Sequence, residues 1–223
     1  MAAPTPPSGS HQEHMSLSSA GERYRARLQQ RSLSSVLQQR VVDKEKETLS
    51  VALDRVLEDN SAIALAGIVV AARRRFVAGT GKSFAYATLL ARDLSGGLAE
   101  VFLVDNNIIR SVEVLRETKP TDVLVVFSFR RYRRDTIELA EQFVAAGGTV
   151  VAITDAEDSP ITAVAASSIV VPTDSVSYAD SPTAIAAIIH LVATLSTASA
   201  KGAKRRLAER DRISNELGIY LQD

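Results

Sequence analysis

Residues 75–94 read RFVAGTGKSFAYATLLARDL, and the change of pattern inside this stretch decides the fold. The run RFVA (75–78) suits a strand, Gly79-Thr80-Gly81 interrupts it, and from Lys82 the apolar positions keep helical period to residue 94. The same strand-to-helix unit recurs outward along the chain. EVFLV (100–104), DVLVVF (122–127), TVVAIT (149–154) and SIVVP (168–172) are further strand candidates, with helical patterns over 110–116 and 134–146 and a brief turn at 160–164 between them. These runs are continuously apolar rather than alternating, as strands buried on both faces are. Strands alternating with helices through short loops predict an α/β domain on a parallel, doubly wound sheet.

The flanks extend this core. Gly147-Gly148 closes the helix over 134–146, because a helix end at positive φ costs least in glycine. SAIALAGIVVAARR (61–74) reads as a buried helix with Asn60 or Ser61 as its N-cap. Downstream, helices are expected over 181–195, opened by Ser181-Pro182, and over 203–220. Upstream, residues 17–60 read as two polar helices or one interrupted helix. Leu28, Leu33, Val36, Leu37 and Val41 make one apolar stripe there, and Leu49, Ala52, Leu53, Val56 and Leu57 another. The five arginines from Arg23 to Arg40 read as a solvated basic face. Residues 1–16, rich in Pro, Ser and Gly, read as a disordered tail. The expected segments are therefore a tail (1–16), a helical arm (17–60) and a domain (61–223).

Composition narrows function by exclusion. Across 223 residues, 26 Lys and Arg balance 26 Asp and Glu, so the total charge indicates neither nucleic acid nor a membrane surface. The absence of cysteine excludes disulfides and thiolate metal sites, and a cytoplasmic location is the simplest reading. No metal and no cofactor is expected. No apolar window reaches the length of a membrane span.

In open parallel sheets, ligands bind beyond the carboxyl ends of the strands, where the strand order reverses. If the order is 2-1-3-4-5, the loops facing that crevice are 79–83 and 128–136. The first supplies glycines, a lysine and hydroxyls at a helix N-terminus; the second supplies hydroxyls and four arginines at another. Unpaired backbone N–H groups, a partial positive charge, close approach through glycine and forked guanidinium donors all suit a phosphate. Two better-known phosphate loops are excluded. A Walker A loop needs glycine where Phe76 stands, and the dinucleotide fingerprint needs glycine or alanine where Phe84 stands.

Gly-Thr-Gly-Lys-Ser-Phe-Ala-Tyr-Ala (79–87), Thr-Asp-Val-Leu-Val-Val-Phe-Ser (121–128) and Gly-Gly-Thr-Val-Val-Ala-Ile-Thr-Asp (147–155), with Ser159-Pro160 after them, together resemble a SIS (sugar isomerase) domain. More narrowly, the chain is similar to the sugar-responsive domain of RpiR/MurR-type transcription regulators, from about Ala62 to Tyr220. The resemblance implies a three-layer α-β-α sandwich with a five-stranded parallel sheet in the flavodoxin-like order 2-1-3-4-5. It also implies a homodimer or homotetramer, and a phosphorylated sugar or sugar derivative in the crevice. The family's phosphate-binding positions fall on Ser83 and on the loop after the third strand. The usual pattern there, Ser-x-Ser-Gly-x-Thr-x-Glu, is kept at Ser128 and, as aspartate, at Asp135. Arg130, Arg131 and Arg133 replace its second serine, its glycine and its threonine; a subset of the regulators has a similar Phe-Ser-x-x-Arg-Tyr variant. Two outcomes stay open: a more anionic ligand, or arginines folded away from it. The candidate ligand-binding residues are Gly79, Thr80, Gly81, Lys82, Ser83, Ser128, Arg130, Arg131, Tyr132, Arg133, Asp135 and Thr136.

Isomerisation of a sugar phosphate needs a base beside the carbonyl. Asp105, Glu138 and His190 are the candidates, since His11 and His14 lie in the tail, and no convincing acid/base pair forms among them. The expected function is phosphosugar binding by a sensor or regulator, with a phosphosugar isomerase as the alternative. DNA binding through the arginine-rich N-terminal helices is a third reading, although residues 17–60 show no helix-turn-helix pattern.

Overall fold

The computed structural model describes residues 19–28 and 34–221; the expected tail and Leu33 lie outside them. The chain runs α1 (Ala20–Leu28), α2 (Ser34–Asp59), α3 (Ser61–Ala71), β1 (Arg74–Gly79), α4 (Lys82–Gly97), β2 (Val101–Val104) and α5 (Ser111–Glu117). It continues through β3 (Asp122–Ser128), α6 (Arg134–Ala145), β4 (Thr149–Thr154), a 3₁₀ turn (Pro160–Ala163), β5 (Ser167–Val170), α7 (Thr183–Ser199) and α8 (Ala203–Glu216). The strands form one parallel sheet in the order β2-β1-β3-β4-β5, as the resemblance implies.

Strand alternation divides the core in two. Val77, Val123, Val125, Phe127, Val151 and Ile153 face one side, where residues of α3, α4 and α7 cover them. Phe76, Ala78, Leu124, Val126, Val150 and Ala152 face the other, under α5 and α6, with Phe143 wedged edge-on to Phe76 at 6.0 Å. Burial on both faces is why these strands read as unbroken apolar runs. Among the described residues no single helix is long and apolar enough to cross a membrane.

Asn60, one of the two positions read for the cap, stands at the N-cap of α3; it is left-handed (φ 55°) and makes no side-chain capping bond, while the Ser61 N–H donates to Asp59 Oδ1 at 2.8 Å. The apolar stripe expected on the preceding helix needs correction. On α2 the buried stripe is Thr48, Ala52 and Val56, whereas Leu53 and Leu57 are exposed, because the helix turns its shorter side chains onto α7. The Ser181 expectation holds, since its hydroxyl accepts the Thr183 N–H at 3.1 Å and so opens α7. Gly147, at φ 92°, ends α6 as read.

Asp122 anchors the start of β3 and is 1% exposed. Its carboxylate accepts Arg74 Nη2 at 2.6 Å, Arg74 Nε at 3.1 Å and the Lys119 N–H at 2.8 Å. Burial pushes this carboxyl up, but the Arg74 and Lys119 bonds together outweigh it and hold it below the usual carboxylate range. A depressed folded-state value means the stabilisation is fully present above the unfolded value of about 4 and is lost as pH falls through the folded one. Asp122→Asn is therefore expected to be less stable than the wild type at neutral pH. The gap should narrow below about pH 4, as urea titrations at the two pH values will report.

Candidate functional site

The sheet order reverses between β1 and β3, and a cavity of about 510 Å³ opens beyond their carboxyl ends. Thr80, Gly81, Lys82 and Ser83 line it from the β1–α4 turn, and Ser128, Arg130, Arg131, Arg133 and Thr136 line it from the β3–α6 loop. Gly81 adopts φ 60° and ψ −128°, a backbone shape that favours glycine. The first N–H groups of a helix lack intrahelical acceptors. Here those of Ser83 and Phe84 turn back to the Thr80 and Gly81 carbonyls, which closes the first turn tightly, and Gly81 and Lys82 both line the cavity.

The two loops touch through their hydroxyls, Thr80 Oγ1 lying 2.8 Å from Thr136 Oγ1. Ser128 is 3% exposed, and its Oγ has no hydrogen-bond partner although the residue lines the cavity. Tyr86, Phe127 and Phe129 give an aromatic wall, with Tyr86 edge-on to Phe129 at 5.8 Å. Burial, with a smaller contribution from Asp180, pushes the Tyr86 phenol up to about 12.

Three of the candidate residues stand outside the lining. Gly79 lies behind the turn, where its missing side chain lets Ser83 close in. Tyr132 points inward with a buried, unpartnered hydroxyl near Asp155, Ser159 and Arg130; burial raises its phenol above the ordinary value. Asp135 takes Arg133 Nη2 at 2.6 Å, an ion pair that holds its carboxyl low. Arg130 turns toward Asp155, Nε to Oδ2 at 3.7 Å.

The candidate bases also lie off the cavity. Asp105 Oδ1 accepts the N–H groups of Asn107, Ile108 and Ile109, and these bonds, Ile109 foremost, lower its carboxyl. That is a loop-shaping turn. His190 sits in a shallow hollow with Arg92, Asp93 and Leu207, and Glu138 is exposed on α6. Among the described residues no group of three or more His, Asp or Glu side chains is placed to hold a metal ion.

The lining also includes residues absent from the sequence-based set. The loop between β5 and α7 contributes Thr173, Tyr178, Ala179 and Asp180, and α1 contributes Ala20 and Arg23. α1 is docked by Arg23 Nε on the Tyr178 carbonyl (2.7 Å), Arg27 Nη1 on the Ser177 carbonyl (2.9 Å) and an Arg27–Asp180 ion pair at 3.9 Å. These two arginines correct the reading of a solvated basic face: carbonyls of a loop more than a hundred residues away bind them. A local signal existed for the start of α1. Ser19 and Glu22 form a reciprocal capping box, Glu22 N–H to Ser19 Oγ at 3.1 Å and Ser19 N–H to Glu22 Oε2 at 2.8 Å.

Residues 68–200 match the family model of the SIS domain, and the chain belongs to that family. No curated protein matches it by sequence. Among solved structures, the sugar isomerase domain of the RpiR transcription factor from Sphaerobacter thermophilus superposes with a TM-score of 0.73 at 25% identity, over 79% of this chain and 98% of that one. The Vibrio vulnificus NanR protein, complexed with ManNAc-6P, gives 0.65 at 14% identity over 79% and 69%. A phosphoheptose isomerase from Francisella tularensis gives 0.58 at 15% identity over 75% and 100%. The last two likenesses concern the fold alone.

Proposed function

We propose that the cavity between β1 and β3 binds the phosphate of a phosphorylated sugar, and that the chain acts as an oligomeric sensor or regulator rather than an isomerase. The Ser128 hydroxyl carries this reading. A buried hydroxyl left without a partner costs about 1–3 kcal/mol, and this one sits on a cavity wall between two helix N-termini. An oxyanion there would accept from Ser128, from the α4 turn and from Ser83 together. Family membership and the phosphosugar held by the NanR structure support the same ligand class. Sensing is favoured over isomerisation because Asp180, the one carboxylate among the described lining residues, is paired with Arg27.

Calorimetry with a panel of hexose and pentose phosphates tests the reading. Wild-type protein is expected to bind at least one of them, Ser128→Ala to bind it roughly tenfold more weakly, and no ketose to form from aldose phosphates. Absence of binding by the wild type, or identical titrations for Ser128→Ala, would refute it.

A further inference from the structure

The cavity carries more positive charge than one phosphate needs. Arg23, Lys82, Arg130, Arg131 and Arg133 line it, against the single described carboxylate of Asp180. Most of these cations have protein partners. Lys82 Nζ donates to the Asp180 carbonyl, Arg23 to the Tyr178 carbonyl, and Arg130 and Arg133 are paired with Asp155 and Asp135. Arg131 differs: among the described residues it makes no hydrogen bond or ion pair. Of the three arginines that replace the Ser, Gly and Thr of the usual pattern, two are neutralised locally and one is not.

Depth separates Arg131 from the hydroxyl cradle. Ser128 and Thr136 are 3% and 4% exposed, whereas Arg131, three residues beyond Ser128 and lining the same cavity, is exposed to solvent. A phosphate seated in the cradle leaves the unpaired Arg131 guanidinium, on the wall of the same cavity, for another group of the ligand. A cavity of about 510 Å³ is large enough for a sugar between the two. Guanidinium groups grip carboxylate and phosphate through paired, charge-assisted bonds, and neutral hydroxyls far less strongly.

We propose that Arg131 selects a phosphosugar bearing a second anionic group, either a carboxylate or another phosphate, which it holds at the cavity wall. This rests on the phosphosugar reading above. The test is calorimetry of the full chain with glucose 6-phosphate, 6-phosphogluconate and fructose 1,6-bisphosphate. The acid, the bisphosphate or both bind roughly tenfold or more tightly than glucose 6-phosphate, the gain expected of one charge-assisted pair. Their relative order tells carboxylate from second phosphate. In Arg131→Gln the preference collapses toward unity, while Ser128→Ala weakens every ligand and keeps the ratio. The preference also shrinks as salt is raised, because the guanidinium is exposed. Equal affinity for the singly and doubly charged probes overturns this inference and leaves the phosphosugar reading intact, as does a ratio unchanged in Arg131→Gln. Failure of all three probes and of the wider hexose and pentose phosphate panel removes both.

Discussion

Gly79→Ala is expected to abolish measurable phosphosugar binding and to destabilise the domain in the same protein. A β-carbon at this position would stand 2.6 Å from the Ser83 carbonyl oxygen and 2.8 Å from its carbonyl carbon. Both are backbone atoms of the first turn of α4, so no side-chain rotation relieves the clash. Beside Gly79 in the sheet, its registered neighbour Phe127 of β3 is buried, and the ladder between the two strands holds β1 in place. The turn itself must move, and with it the Gly81–Ser83 segment that lines the cavity. Overpacking of this kind costs roughly 1–3 kcal/mol, and a displacement of about 0.5 Å or more removes a site from its working geometry. Thermal melts together with calorimetry check both halves. A variant that is less stable but binds normally would show that the turn does not set the cradle.

Arg75→Met should have the largest effect on stability without touching the cavity. Arg75 is a strand residue, 8% exposed, and among the described residues it forms no ion pair with a carboxylate. Its guanidinium instead donates to four carbonyls: Val69 at 2.7 Å, Val70 at 2.9 Å, Ala99 at 3.0 Å and Arg73 at 3.2 Å. Two of these belong to the last turn of α3, where carbonyls lack intrahelical donors and a cation is favourable. Burial, and next the charge of Arg206, lower the guanidinium's proton affinity. Methionine keeps much of the packing and removes every donor. The expected loss is roughly 3 kcal/mol or more, since bonds from a charged group are each worth more than neutral ones and the carbonyls stay buried. Arg75→Lys should recover only part, because one ammonium cannot fork to four acceptors. Equilibrium urea denaturation measures both, and a loss below about 1 kcal/mol would mean that water replaces the donors.

Several elements were plain in the residues because their causes are local. DVLVVF and TVVAIT are apolar throughout and became the central strands; Gly147 ended a helix and Ser181 opened one through short-range geometry. The strand order and the crevice at β1 and β3 followed once the family pattern at 79–87 and 121–128 was recognised. What stayed hidden is long-range. Arg75 reads as one more residue of RFVA, and only folding brings Val69, Val70 and Ala99 around it. Arg130 finds Asp155 across β4, and Arg23 finds Tyr178 across most of the chain, so no window of sequence contains either pair. The capping box at Ser19 and Glu22 marks where α1 begins, yet nothing local says what it leans on.

The docking of α1 makes the cavity a property of two separate stretches of chain. Ala20 and Arg23 stand on its wall, so a ligand filling it touches a helix whose hold on the rest rests on Tyr178, Ser177 and Asp180. Free-energy linkage is reciprocal. Any occupant that gains from those wall residues tightens the helix onto the loop, and any force that peels the helix away loosens the occupant by the same factor. An event in the cavity is in this way transmitted to the residues that precede the domain, with no change needed in the sheet between them.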